Sequence, residues 1–178
     1  MDTQEFWKLV AEARREVPEP ADGRPVAERA AALLAARPRA EIVAAQQALW
    51  ELMADSYRNP LWAAAYLING GCSDDGFDYF RGWLITQGRD VFERVVEDPE
   101  TLAELPVVRA AAADGTDLDC EATLGIAWNA HKAATGEQLP PGSFSIRYPK
   151  LDPAWAFDFD DRKEVDRRLP RLSALFRD

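Results

Sequence analysis

The sequence contains few of the residues that build metal centres or nucleophilic sites. Among its 178 residues there are two cysteines, Cys72 and Cys120, and one histidine, His131. Two cysteines are too few for a disulfide scaffold, and such sparse cysteine use suits a reducing compartment. No short motif places a serine, cysteine or threonine beside His131, so the sequence does not indicate a nucleophile–histidine pair. A chain of this length can bury enough apolar surface to fold without a disulfide or a structural metal.

The sequence is also short of basic side chains and has no long apolar run. Its 31 acidic residues outnumber 21 basic ones, which gives a formal net charge of −10. This balance argues against a protein that binds nucleic acid through its phosphate backbone or anchors to anionic lipid. The longest apolar stretch, 61–68, is far shorter than the ~20 residues of a spanning helix. The N-terminus carries acids where a secretory signal would carry bases. We therefore expect a cytoplasmic protein with no direct nucleic-acid partner and no membrane segment.

Apolar residues recur at the helical period along most of the chain. Helix start and stop signals divide this pattern into segments, as where Ser73 opens a helix that Gly88 ends. A single amphipathic helix is predicted over 119–135, and Pro170 should interrupt the last helical segment. The pattern predicts one all-α domain spanning 1–178, a bundle of about eight to ten helices.

The stretch 137–160 differs from the rest because it contains four prolines and no helical period. We predict a long ordered loop that lies over the core. Its aromatic residues Trp155, Phe157 and Phe159 would be costly to leave in water, which argues against disorder. They either clamp the loop onto the core or form an edge that binds a partner, and the first interpretation is favoured because large apolar side chains usually find cover.

The helix that starts after Ser73 is predicted to place an arginine beside its apolar face. On a helical wheel Arg81 adjoins the stripe of Phe77 and Phe80, with Asp78 one turn back and Asp74 two turns back. A partly buried guanidinium requires carboxylate or carbonyl partners, and these aspartates are the nearest candidates. Gly82 costs about 1 kcal/mol in a helix relative to alanine, so its presence predicts that another backbone segment approaches closely there.

This central region resembles a known family. The resemblance rests on the string LWAAAYLINGGCSDDGFDYFRGWLITQGRDVFE, which is followed by DPETLAEL, and on Glu5-Phe6-Trp7 near the N-terminus. Leu169-Pro170-Arg171-Leu172 is similar to the family's C-terminal pattern, whereas 136–160 matches none. The family is the bacterial, mostly actinobacterial domain of unknown function 4240 (DUF4240). The resemblance implies a single cytoplasmic domain and no established biochemical activity.

The acidic cluster after Cys72 has two interpretations. Asp74, Asp75 and Asp78 offer the oxygen ligands that magnesium or calcium favours, which makes them candidates for a metal site. Alternatively Asp74 and Asp75 belong to a helix start, and Asp78 pairs with Arg81. The second interpretation is favoured because acids commonly occupy first helical turns. Arg81 is also expected to keep Asp74 and Asp78 ionised, which does not suit a general acid. No cofactor is predicted.

Two functions remain open. The favoured one is a non-enzymatic interaction or regulatory module that binds another protein, for which a basic partner would complement the acidic charge. The alternative is a small-molecule-dependent or metal-dependent enzyme with a site around Asp74, Asp75, Asp78 and Arg81. A deep cleft lined by Trp62, Tyr66 and Trp83 would favour the enzyme, whereas an Arg81 sealed under packed side chains would exclude it. The residues singled out as a functional or structural motif are Trp62, Tyr66, Ser73, Asp74, Asp75, Asp78, Arg81 and Trp83.

Overall fold

The computed structural model describes residues 1–177, and in this range the chain forms helices and no strand. The α-helices are α1 (Thr3–Glu16), α2 (Gly23–Ala35), α3 (Arg39–Asp55), α4 (Asn59–Ile68), α5 (Asp74–Thr86), α6 (Arg89–Glu97), α7 (Pro106–Asp114), α8 (Ile126–Thr135), α9 (Arg162–Arg168) and α10 (Pro170–Leu175). Short 3-10 helices cover Pro99–Glu104, Glu121–Gly125 and Pro153–Trp155. These elements confirm the predicted all-α class.

Local side chains explain where several helices begin. Asp2 and Glu5 form a capping box at α1, in which the Glu5 amide donates to the Asp2 carboxylate over 2.8 Å. The Ser73 hydroxyl accepts a hydrogen bond from the Gly76 amide over 3.1 Å at the start of α5. Each cap satisfies amides that have no partner inside the helix. The predicted start of α5 at Ser73 is confirmed.

The core lies where α2 packs against α1 and α8, while α3 packs against α1, α5 and α8. Its largest fully buried apolar side chains include Phe6, Leu34, Leu49, Phe77 and Phe80. Helix α4 buries its small residues, whereas Trp62 and Tyr66 remain half-buried on its outer side. No helix within 1–177 combines the length and the apolar character needed to cross a bilayer.

The prediction of one continuous helix over 119–135 is wrong. A 3-10 helix over Glu121–Gly125 precedes α8, so the α-helix starts only at Ile126. The preceding chain is tied to α5, because the Cys120 amide donates to the Tyr79 carbonyl over 2.9 Å. The Thr123 hydroxyl donates to the Gly82 carbonyl over 3.1 Å. These bonds to another helix hold this stretch away from regular α-helical geometry.

Residues 137–160, here called the strap, form the predicted long loop over the core, with one short 3-10 helix. The Asn59 side-chain amide donates to the Asp152 carbonyl over 2.9 Å. The guanidinium carbon of Arg168 lies 4.9 Å from the ring centre of Trp155 and 4.7 Å from that of Phe157. Trp155 and Phe159 also pack against the buried core, which supports the interpretation of the aromatic residues as a clamp.

The C-terminal helices are separated at Pro170, as the sequence predicts. The start of α10 is capped from a distant part of the chain by Glu100, which is 9% exposed. Its carboxylate accepts from the Arg171 amide over 2.7 Å and from the Leu172 amide over 3.0 Å. The Glu100 carboxylate therefore caps α10 and ties it to the 3-10 helix over Pro99–Glu104, an arrangement that the helix dipole favours.

Candidate functional site

Arg81 lies in the interior, with only 1% of its surface exposed. One terminal nitrogen, Nη1, donates to the Met53 carbonyl of α3, and the other, Nη2, donates to the Asp78 carboxylate. Its Nε donates to the Phe77 carbonyl over 3.3 Å. The guanidinium therefore joins α3 to α5 through hydrogen bonds that compensate for its lost hydration.

Aromatic rings complete the enclosure of Arg81. Its guanidinium carbon lies 4.6 Å from the ring centre of Phe77 and 5.1 Å from that of Tyr57. Burial lowers the pKa of Arg81, although Asp78 opposes this shift. The predicted burial of Arg81 beside Asp78 is confirmed, and the side chain is sealed rather than open to a cleft.

The three aspartates do not form one cluster around Arg81. Within residues 1–177, Asp78 is the one carboxylate that pairs with this arginine, while Asp74 and Asp75 are exposed in the first turn of α5. Burial raises the pKa of Asp78, which the charge of Arg81 only partly offsets. Arg81 lowers the pKa of Asp78 by less than burial raises it, and Asp74 lies outside the contact, so the expected stabilisation of the ionised carboxylates by Arg81 does not extend to Asp74.

The described part of the chain, 1–177, contains no group of three histidine, cysteine, aspartate or glutamate side chains arranged to hold a metal ion. Cys72, which precedes the cluster, is half-buried, and burial raises the pKa of its thiol to about 11. A thiol with this pKa stays protonated at neutral pH, so Cys72 is not activated as a nucleophile.

The aromatic residues of the motif are engaged in three different places. The Trp62 indole stacks on Phe77 with ring centres 4.7 Å apart, and its Nε1 donates to the Cys72 carbonyl over 3.0 Å. Trp83 is 2% exposed and donates to the Ala21 carbonyl over 3.3 Å. The Tyr66 hydroxyl donates to Asp160 of the strap over 2.9 Å. These side chains serve packing and do not converge on a common cleft.

Gly82 confirms the predicted close approach of two backbone segments. A Cβ at this position would lie 2.5 Å from the Cys120 carbonyl oxygen and 3.3 Å from the Cβ of Thr123. Because the first of these atoms belongs to the backbone, it cannot move aside cheaply. Glycine therefore allows the segment before α8 to pack directly onto α5.

His131 connects α8 to the strap and is fully buried. The Arg39 Nε, which can only donate, lies 3.2 Å from the histidine Nε2. The histidine Nδ1 must then carry the proton, which it donates to the Glu137 carbonyl over 3.1 Å. His131 thus accepts from Arg39 and donates to a carbonyl just beyond the end of α8, and no sequence signal indicated the contribution of Arg39.

Sequence reasoning missed an acidic hollow beside α5. Asp75, Asp78 and Glu121 line an open depression of about 520 Å³, together with Arg24 and Tyr79. The negative charge of Glu121 is the largest cause of a raised pKa at Tyr79, to which Asp75 and Asp78 add. Glu121 lies between Cys120 and Thr123, which bond to the Tyr79 and Gly82 carbonyls of α5, so this tertiary contact places Glu121 on the same depression as Asp75 and Asp78.

Comparison with known proteins identifies a family. A family model described as a protein of unknown function (DUF4240) matches residues 1–133. No curated protein and no solved structure matches the chain. The matched range contains the Arg81 centre and the acidic hollow, whereas the strap and the predicted resemblance at 169–172 lie beyond it. The match covers well over half of the sequence, and the chain belongs to the DUF4240 family.

Proposed function

We propose that this chain is a non-enzymatic interaction module of the bacterial cytoplasm whose acidic hollow binds a basic segment of another protein. The observation that carries the proposal is the convergence of Asp75, Asp78 and Glu121 on one open depression. Its lining also includes Ala122 and Leu124, which add apolar surface to the charged side chains.

The enclosed state of Arg81 supports a binding role over a catalytic one. A reactive arginine must reach a substrate, but this guanidinium is occupied by Asp78 and by two backbone carbonyls. Its side chain is 1% exposed, so a substrate would have to displace packed aromatic rings to reach it. Arg81 is better suited to support the hollow from below, because it holds Asp78 in a fixed position.

The electrostatics of the hollow favour a cationic partner. Burial is the main cause of the raised pKa of Asp78, the charges of Asp75 and Asp74 add to it, and a neighbouring lysine or arginine would offset this repulsion. Arg24 is the opposing charge in the lining, and the chain as a whole carries −10. Charge of one sign steers partners of the opposite sign and accelerates their encounter.

Kinetics with a captured partner would test the proposal. Proteins retained from a bacterial lysate on the immobilised chain would be identified, purified and measured for association with the wild type and with an Asp75→Asn, Glu121→Gln variant. We expect the variant to associate about tenfold more slowly at low salt, because electrostatic steering is lost. The difference should shrink as salt screens the charges.

Glu28 and Glu97 provide the matched control. Both are exposed on other helices, so Glu28→Gln with Glu97→Gln changes the net charge equally without altering the hollow. The control should associate at the wild-type rate. Equal association rates for the wild type and the Asp75, Glu121 variant would reject the acidic hollow as the binding surface.

A further inference from the structure

Two adjacent hollows lie on a different part of the molecule, where the end of α1 and the following connection meet α6 and α7. The first has a volume of about 480 Å³ and the second about 510 Å³, within the range of small-molecule sites. They share Arg14, Pro20, Gln87 and Val91 as lining residues, so they adjoin each other, and the pair is here called the arginine groove.

The first hollow is rich in positive charge, although the chain as a whole is acidic. Arg14, Arg15 and Arg89 line it, against a single carboxylate, Asp90. Arg89 pairs with Glu93 over 2.7 Å, but within residues 1–177 neither Arg14 nor Arg15 forms an ion pair. Two guanidinium groups with no carboxylate partner thus border the same cavity.

Arg14 is held in place by the backbone. Its Nη1 donates to the Pro20 carbonyl over 2.8 Å and to the Thr86 carbonyl. Gly88 lies alongside this side chain: its φ of +93° suits glycine, and a Cβ there would make an ordinary contact of 3.4 Å with the Arg14 Nε. Burial lowers the pKa of Arg14, because the charged form loses hydration and no carboxylate compensates. An incoming anion would supply the missing charge.

The second hollow has a mainly apolar wall. Val91, Leu105, Pro106 and Val107 form much of it, while its carboxylates, Glu19 and Asp22, lie on the connection between α1 and α2. The two ends of the groove therefore differ in chemistry: arginines border one end and aliphatic side chains border the other. A ligand with a negative head and an apolar body would match both.

We propose that the arginine groove binds a small organic acid with an aliphatic tail, whose carboxylate contacts Arg14, Arg15 and Arg89. The tail lies in the second hollow against Val91, Leu105 and Val107. The reverse orientation would place the carboxylate near Glu19 and Asp22, where like charges repel it. Planar guanidinium groups match carboxylate geometry and form strong charge-assisted hydrogen bonds.

Titration of the full chain with octanoate, followed by calorimetry and by amide chemical shifts, would test this site. We expect saturable binding at one site, with shifts concentrated at the lining residues. Octanamide, which has the same tail without the charge, should bind at least about tenfold more weakly, because each charge-assisted hydrogen bond is lost or weakened. Binding of the two probes with equal affinity, or no octanoate binding at about 1 mM, would overturn the proposal.

Variants separate binding from folding. Arg15→Gln with Arg89→Gln leaves the backbone contacts of Arg14 intact and should weaken octanoate binding about tenfold. Arg147→Gln is the control, since Arg147 is exposed on the strap and outside both hollows. Val107→Glu, which adds a negative charge beside the proposed tail, should also weaken binding. Wild-type affinity in both the double variant and Val107→Glu would contradict the proposal, whereas an unchanged Arg147→Gln supports it.

Discussion

The body of the molecule, α1–α8, and the strap are held in place by different kinds of contact. In the body, Arg81 and Thr123 are almost completely buried, and each bonds to the backbone of another element. On the strap, Ile146 and Tyr148 are 46% and 54% exposed, and attachment depends on separate side-chain contacts such as Asn59 with Asp152. The family match covers nearly all of the body and none of the strap.

The two regions should therefore respond differently to the loss of a contact. A buried group that joins two helices cannot be removed without exposing or stranding its partners, so its loss affects the whole domain. A contact between the strap and the body can open locally while the helices remain folded. A substitution in the body should therefore lower the stability of the whole domain, whereas one in the strap should have a smaller and more local effect.

Removal of the central guanidinium should give the largest effect. Arg81→Ala is expected to lower the free energy of unfolding by roughly 2–4 kcal/mol, because it leaves Asp78 half-buried without its partner and removes packing against Phe77. Chemical denaturation followed by circular dichroism would measure the loss. A midpoint equal to that of the wild type would mean that Arg81 is not structural, and would weaken the contrast between body and strap.

Substitution of Gly82 offers a test in which helix propensity and packing predict opposite changes in stability. Gly82→Ala should destabilise the fold by about 1–2 kcal/mol despite a propensity gain of about 1 kcal/mol, because the new methyl group meets the Cys120 carbonyl. Thermal and urea unfolding would measure the difference.

Gly76 provides the comparison within the same helix. A Cβ there would lie 3.3 Å from the Ser73 hydroxyl, a side-chain atom that can move by a few tenths of an ångström and still cap the Gly76 amide. Gly76→Ala should therefore stabilise the chain by roughly 0.5 kcal/mol. A stabilising effect at both positions would show that the Cys120 segment can move away from α5.

The smallest expected effect lies in the strap. Trp155→Ala removes the stacking partner of Arg168 and should cost only about 1 kcal/mol of global stability. The local effect should be greater, with faster proteolytic cleavage within 137–160 while the helical body persists. Ile146→Ala, at an exposed position of the same segment, should leave the cleavage rate unchanged. Equal cleavage of the wild type and Trp155→Ala would show that these aromatic contacts do not secure the strap.

The sequence predicts features that depend on local chemistry. Ser73 lies three residues before the amide that it caps, and Asp78 lies one helical turn from Arg81, so both contacts follow from spacing alone. The close approach at Gly82 is also predictable, because a glycine inside a helix is costly without a packing reason.

Features that depend on distant parts of the chain were missed. The Met53 carbonyl that binds Arg81 belongs to another helix, and Glu121 joins Asp75 only because the chain before α8 packs on α5. The break at Gly125 was missed for the same reason, since bonds to α5 override a regular helical period. Only the tertiary structure supplies these partners.

The two ends of the strap are fixed independently of its middle. Glu137 is held by His131 at one end, and Glu100 docks α10 beyond the other. Loop-closure entropy depends only logarithmically on length, so doubling the number of residues between two such anchors costs only about 0.6 kcal/mol. The exposed turn at Gly142 is thus a permissive insertion point, at which a tag or a reporter domain can be grafted without disturbing the helical body.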